Sequence, residues 1–219
     1  MKDRVIFFIL LTIFFCACNE VQKLETKDGF AVITDPKKGE AVATYSGGCF
    51  WALQECMFEL KGVSKVVSGY SGGTKPNPSY EEVLSKTTGY AESVQVYYDP
   101  KVISFEKLTE AFFNAHDPTQ RDGQGPDLGP DYRSIAFYRS PSERIIINKL
   151  ISKIDSANGY NKPVVTEIIP FKVIYPAETE HQDYYRKNNW DQYIRNVSRP
   201  KVLKLRKTMP YLIKSAYKD

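Results

Sequence analysis

The hexapeptide Ser46-Gly47-Gly48-Cys49-Phe50-Trp51 sets one thiol between two glycines and two large aromatics. A stretch of helical character follows at once, Phe50 to Leu60, with Leu53, Met57 and Leu60 near one stripe. A free thiol has a pKa of about 8.5 and is only a few per cent thiolate at neutral pH. A helix N-terminus favours negative charge through its unpaired N–H groups and its dipole, so this position is expected to lower that value. The glycines let the backbone turn tightly and approach a ligand. The aromatics would wall a small apolar pocket beside the sulfur. The chemistry on offer is nucleophilic or redox. The competing reading is a buried packing cysteine, the commoner fate of this residue.

Other side chains offer acid–base chemistry. A buried carboxyl keeps its proton to higher pH and can donate it, which is the functional reading of Glu92. Left exposed, Glu92 is an ordinary strand residue, and Tyr80 an ordinary loop anchor. Asp131 and Arg133 read as a surface ion pair of little energetic weight. His116 and His181, the two histidines of the chain, are available as bases for a Cys–His hydrolase. Several other chemistries drop out. Gly72-Gly73 lacks the Gly-Lys-Ser/Thr ending of a phosphate-binding loop. A cysteine phosphatase wants an arginine closing the loop, and Glu55 stands after Gln54. The residues around Cys49 do not match the Cys-Gly-x-Cys-Trp pattern of papain-like enzymes. Two histidines without spaced cysteines give a metal site little support. A net charge of +4 over 219 residues is too small to imply nucleic acid, and no aromatic-plus-basic motif suggests it.

The elements that must position these groups alternate between strands and helices. Ala41 to Tyr45 reads as a strand feeding the glycine turn, and Val63 to Tyr70 as a second strand. Residues 71–78 carry every mark of a loop. Ser79 caps a short helix to Leu84, with Glu82 at the capping-box position. Ala91 to Tyr98 is a strand stopped by Asp99-Pro100. Ser104 to Ala115 is an amphipathic helix with Leu108, Ala111, Phe112 and Ala115 on one side. Asp117 to Asp131 is a Gly/Pro loop of about fifteen residues, a length often tied to function. Then follow a strand Tyr132 to Tyr138, a helix from Ser140-Pro141 to about Asp155, a strand Val164 to Ile169, and a helix Glu178 to Lys187 carrying His181. Residues 199–219 form a Lys/Arg-rich tail. The expectation is one α/β-layered domain, without repeats or a second core.

The N-terminus is a separate matter. After Met1-Lys2-Asp3-Arg4, residues 5–15 are an almost unbroken apolar run, too short to span a bilayer and fit for the h-region of a signal peptide. The run ends Phe15-Cys16-Ala17-Cys18-Asn19-Glu20, and a small residue before cysteine resembles a bacterial lipoprotein cleavage site. Residues 1–17 would then be a signal, Cys18 the lipidated first residue, 18–40 a tether and 41–219 the domain. That places the protein on a bacterial cell envelope, facing the periplasm or exterior. A non-catalytic surface lipoprotein remains an alternative. Cys49 and Cys56 are the cysteines left over. Seven residues apart on one helix, they stand about 10 Å apart along its axis. A disulfide needs Cα atoms within about 7 Å, so both are expected free in an oxidising compartment.

Taken in order, the motifs resemble one family. Gly47-Gly48-Cys49-Phe50-Trp51 is similar to the active-site signature of peptide methionine sulfoxide reductase A. The similarity continues through Gly62-Val63, Gly69-Tyr70-Ser71-Gly72-Gly73, Pro76-Asn77-Pro78-Ser79-Tyr80, Thr88-Gly89-Tyr90-Ala91-Glu92 and Tyr98-Asp99-Pro100. It runs on through His116-Asp117-Pro118-Thr119, Asp127-x-Gly129-x-Asp131-Tyr132-Arg133-Ser134 and Ala177-Glu178 to His181-Gln182, from about Ala41 to Asn188. Three departures stand out. Ala52 follows Trp51 where the family usually has Gly or Cys. Tyr90 and Leu128 stand where it often has His. No cysteine follows Cys56, whereas many members carry recycling cysteines near the C-terminus.

The resemblance implies an α+β fold, a two-layer α/β sandwich of ferredoxin-like plait with a mixed sheet and extra C-terminal helices. It implies that Cys49 attacks the sulfur of methionine sulfoxide, S form, in proteins or free, and ends as a sulfenic acid. Glu92 would protonate the sulfoxide oxygen, with Tyr80 and Tyr132 holding that oxygen. Phe50 and Trp51 would pack the S-methyl group, and Asp127 would position the substrate through water. No metal or organic cofactor is implied. The electrons would come from an external thiol, a thioredoxin-like protein or a small thiol. The partners expected are oxidised proteins and that reductant, with a membrane reached through the lipid, and a monomer is expected.

Overall fold

The computed structural model describes residues 24–25, 32–157 and 159–218. The apolar run of residues 5–15, the candidate lipidation site Cys18 and much of the expected tether lie outside them. The chain runs β1 (Leu24–Glu25), β2 (Val32–Ile33), β3 (Ala41–Ser46), α1 (Phe50–Phe58), β4 (Val63–Ser71), α2 (Tyr80–Leu84), β5 (Ala91–Tyr98) and α3 (Phe105–Ala115). It continues β6 (Gly123–Gln124), β7 (Asp127–Leu128), β8 (Ile135–Tyr138), α4 (Pro141–Ser156), β9 (Glu167–Pro170), β10 (Ile174–Pro176), α5 (Tyr184–Lys187) and α6 (Arg199–Thr208).

The main sheet has six strands in the order β10-β4-β5-β3-β8-β9. Its neighbours are antiparallel except β8 and β9, which are parallel, so the sheet is mixed. The stretch β3-α1-β4-β5-α3-β8 arranges its strands β4-β5-β3-β8, the ferredoxin-like plait. Helices α1, α3, α4 and α6 pack on one face. Tyr45, Val94, Val96 and Tyr98 meet Phe50, Leu53, Met57, Leu108 and Phe112 in that core. β5 is central and every one of its residues is buried. Side chains alternate along a strand, so Glu92 shares the helix-facing side with Val94, Val96 and Tyr98. The strand that looked able to expose Glu92 therefore buries it.

Local signals account for the helix starts. Ser79 and Glu82 form the expected capping box of α2. Ser104 and Ser140 each accept from a backbone N–H in the first turn of α3 and α4, at 3.2 Å. Elsewhere packing overrides the linear pattern. The expected helix Glu178 to Lys187 is broken. A single 3-10 turn at Thr179–His181 gives way to α5 across Asp183, whose φ of +56° is left-handed. Gln182 holds that break in place: its amide pairs with Ser68 N and O of β4, at 3.0 and 2.9 Å. The described part of the expected tether lies against the domain. Leu24 pairs with Ile33, and Ile33 packs on Val67, Tyr97 and Ile174 of the outer sheet face. The Tyr97 hydroxyl bonds both Thr34 N and Thr34 O.

The basic tail is not loose either. Val202 and Leu205 of α6 are buried in the main core, and Ile213 bridges to Leu60. Arg206 Nε and Nη2 donate to the two Glu59 oxygens at 2.9 and 2.7 Å. Glu59 is fully buried, so removing the arginine strands a charge away from water. Arg206→Met is expected to cost about 3 kcal/mol. Urea unfolding checks this; an unchanged midpoint would mean that the pair contributes nothing to docking α6.

Candidate active site

The site is built at the N-terminus of α1. Gly48 has φ +84° and cannot be replaced without strain; a Cβ there would stand 2.6 Å from Gln124 Cβ. Gly48 N–H donates to Tyr132 O at 3.1 Å, which ties the cysteine loop to the segment before β8. Cys49 is the N-cap residue of α1, buried and unbridged. Its side chain does not cap the helix. The Glu92 carboxyl does, accepting from Phe50 N–H at 2.9 Å.

That arrangement decides the electrostatics. Burial raises the Glu92 pKa to about 8, helped by the nearby charges of Asp131 and Asp127, while the Phe50 N–H pulls the other way. Glu92 is thus mainly a neutral acid at neutral pH, in contact with the Cys49 thiol. The thiol does not follow the helix-dipole expectation. Burial, with Glu92 beside it, pushes the Cys49 thiol well above its ordinary value, against the opposing contacts of the Tyr193 hydroxyl and the Trp51 backbone. Desolvation wins because the group is dry and faces an acid rather than a cation. Burial and the proximity of Glu92 also raise the Tyr80 and Tyr132 phenols, so both stay protonated as donors.

Aromatic rings form the wall. Trp51 stacks on Tyr184 with centroids 3.8 Å apart, and its indole N–H donates to His181 Nδ1 at 3.3 Å. His181 in turn packs on Phe50 and Tyr80, at 5.4 and 4.3 Å. Tyr80 is placed by Glu178, whose carboxylate accepts from Tyr80 N–H at 3.0 Å and from the Tyr70 hydroxyl at 2.8 Å. Asp127 enters from the β6–β7 hairpin within the long loop. Its Oδ2 accepts from the Tyr193 hydroxyl at 2.7 Å, and that hydroxyl stands near the Cys49 sulfur. Among the described residues, no group of three His, Cys, Asp or Glu side chains is placed to hold a metal ion.

The family model described as Peptide methionine sulfoxide reductase matches residues 41–211. The chain belongs to that family. Its activity is that of an oxidoreductase acting on peptide methionine sulfoxide. A peptide methionine sulfoxide reductase MsrA from Natronomonas pharaonis is 46% identical over 162 residues, covering 74% of this chain and 91% of the relative. One from Saccharolobus solfataricus is 45% identical, covering 79% and 97%. Among solved structures, reduced Mxr1 from Saccharomyces cerevisiae matches with TM-score 0.66 and 34% identity, over 70% of this chain and 88% of that one. Methionine sulfoxide reductase A of Corynebacterium diphtheriae gives 0.64 and 33%, over 71% and 78%.

For this reductase, the structure brings together the residues that the sequence singled out: Cys49, Phe50, Trp51, Tyr80, Glu92, Asp127 and Tyr132. Cys56 is fully buried on α1, a core residue. Asp131 and Arg133 are not a surface pair. Arg133 bonds Glu167 Oε1, Pro130 O and Gly89 O, while the Asp131 carboxyl is buried without a hydrogen-bond partner. Nothing in the site favours the Cys–His hydrolase reading. His116 engages Phe112 O through Nδ1 and Ser134 Oγ through Nε2, and burial lowers its pKa to about 4. His181 spends Nδ1 on Trp51. Sequence reasoning missed Tyr193, Tyr184 and the wall role of His181. Tyr193 sits in no motif, between a broken helix and the basic tail. His181 was visible as a motif residue and a candidate base, not as part of an aromatic wall.

Proposed function

We propose that Cys49 reduces the S epimer of methionine sulfoxide, in oxidised proteins and as the free amino acid, and itself becomes a sulfenic acid. The observation that carries this reading is the contact between a buried thiol and a carboxyl that keeps its proton to about pH 8. The sulfoxide oxygen leaves poorly until it is protonated. Glu92 donates that proton, and the Tyr80 and Tyr132 hydroxyls hold the oxygen. The Cys49 sulfur bonds to the substrate sulfur as the thiol proton passes with the Glu92 proton to the oxygen, and the S–O bond breaks to release water. Water then adds to the Cys49 sulfur, the sulfur–sulfur bond breaks to free the thioether, and a proton returns to Glu92. The balance is one thiol and one sulfoxide giving one sulfenic acid and one thioether. The Trp51 and Phe50 rings support a site for the S-methyl group, and Asp127 acts through Tyr193 and water.

Regeneration needs an outside thiol on this reading, a thioredoxin-like protein or a small thiol. Cys56 is buried on the same helix and no cysteine follows it. Mass spectrometry after one turnover without reductant tests this directly. A gain of one oxygen is expected, and a loss of two hydrogens would show an internal disulfide instead. Cys56→Ser is expected to leave the steady-state rate with dithiothreitol nearly unchanged. A normal first turnover followed by a sharply slower steady state would make Cys56 the resolving thiol. It would also require α1 to unwind.

The sequence around Cys18 supports a lipid-anchored protein of the bacterial envelope, and a monomer is part of the same proposal. Cys18→Ala is expected to release the protein from membranes or leave its signal uncleaved, since stable anchoring needs more than one acyl chain and a lipoprotein cysteine supplies them. A correctly processed Cys18→Ala protein that still fractionates with membranes would exclude the anchor.

A further inference from the structure

Tyr193 stands between two groups that both want its one proton. Its hydroxyl donates to Asp127 Oδ2 at 2.7 Å and also lies close enough to the Cys49 sulfur to influence it. A phenol has a single O–H, so it serves one acceptor at a time. While Cys49 is a thiol, the S–H can donate and the phenol proton can rest on Asp127. Once the sulfur is a thiolate it is an acceptor only. Tyr193 must then turn its proton to sulfur, and Asp127 loses its donor in a place where water scarcely reaches.

A cation stands ready for that moment. Lys201 of α6 lies with Nζ 3.8 Å from Asp127 Oδ2, and the two side chains are only 18% and 10% exposed. The ammonium nitrogen is buried and has no hydrogen-bond partner, an unusual state for a group with three donors. It also abuts the catalytic loop, 3.6 Å from where a Cβ on Gly48 would be. The π-helical turn Ile194–Ser198 joins Tyr193 to α6, so one segment delivers both groups. Turns of that kind are rare and concentrate at functional sites.

Resting on the reading of Cys49 as nucleophile, we propose that Lys201 is a positioning residue that balances the Asp127 carboxylate and so frees the Tyr193 proton for the Cys49 sulfur. The chain of contact is Lys201, Asp127, Tyr193, Cys49. No net proton moves along it; the phenol only changes acceptor. At 3.8 Å a shift of the lysine by about one ångström brings it into hydrogen-bond range of Asp127, the replacement donor that Tyr193 leaves wanting. Other charges face the same groups. Cys49 is seen by Glu92, Tyr80, Tyr132 and Tyr184, and Lys201 acts also on His116 and Cys56. Of these, Lys201 is the cation that reaches Asp127 itself.

The test reads thiolate availability rather than turnover. The alkylation rate of Cys49 by iodoacetamide is followed against pH by peptide mass spectrometry, which separates it from Cys56. In Lys201→Met the profile is expected to move up by about one pH unit, a roughly tenfold slower reaction on the rising limb. Lys201→Arg is expected to restore most of it. Lys201→Gln keeps an amide for Asp127 but no charge, and serves if the methionine variant fails to fold. Tyr193→Phe is expected to raise the profile by itself, and adding Lys201→Met to it is expected to change little more. An unmoved profile in both Lys201→Met and Lys201→Gln overturns the proposal. So does a full additional shift in the Tyr193→Phe background, because Lys201 would then act on Cys49 without the tyrosine. Failure of Cys49 as nucleophile would show separately, as sulfoxide turnover surviving its replacement.

Discussion

Cys49→Ser is expected to remove methionine sulfoxide reduction while leaving the domain folded. A hydroxyl is a far weaker nucleophile than a thiol at neutral pH, and it has no lower-energy counterpart of the sulfenic acid. Steady-state turnover of a sulfoxide-containing peptide with dithiothreitol is expected below about one per cent of the parent. The structural cost should be small. Cys49 is the N-cap of α1, where serine is among the preferred residues. The Phe50 N–H is already satisfied by Glu92. The thermal midpoint of the variant is therefore expected to match or exceed the parental one, so that lost activity reports chemistry alone. Activity above that threshold in a well-folded variant would move the nucleophile elsewhere, and the buried Cys56 would be the first residue to question.

How far the sequence carried depends on the kind of information each element holds. The helix starts at Ser79, Ser104 and Ser140 were legible because a cap is a local matter between a side chain and the next three N–H groups. The strands of the plait were legible because their apolar alternation is short-range. The cysteine loop was legible as a motif, and with it Glu92, Tyr80, Tyr132 and Asp127. What was not legible depends on contacts far apart in the chain. Glu92 is buried because β5 lies at the centre of the sheet, a fact of topology. Helix character over Glu178 to Lys187 loses to Gln182, which meets Ser68 across 114 positions. α6 hid behind its lysines and arginines: Val202 and Leu205 are a thin apolar stripe in a basic run. Tyr193 and Lys201 reach the site only because that helix docks on α1 and α3. The sign of the thiol shift was also a tertiary matter, since the helix dipole was anticipated and the loss of water around Cys49 was not.

Glu92→Gln is expected to produce the second large loss, and its pH dependence carries the diagnosis. Glutamine keeps the shape and can still accept from Phe50 N–H, but it has no proton to give. General acid catalysis contributes about 10²–10⁴-fold, and kcat/KM at about pH 7 is expected to fall by that order. The parent should lose activity as pH rises through about 8, where Glu92 gives up its proton. The variant, already without an acid, should lack that descending limb. Stability should change in the opposite sense. Glu92 keeps its proton to about 8 in the fold but releases it near 4.5 when unfolded, so the folded state binds more protons between those values. Its contribution to stability therefore falls as pH rises from about 4.5 and reaches its full cost above about 8. The introduced glutamine does not ionise in either state. The variant is expected to melt higher than the parent at about pH 8 and alike at about pH 4, measured by circular dichroism in matched buffers. Equal melting at both pH values, with turnover unchanged, would make Glu92 an ordinary helix cap. A stabilised, inactive variant instead marks a carboxyl held neutral at the expense of the fold, which is what proton donation to a sulfoxide oxygen requires.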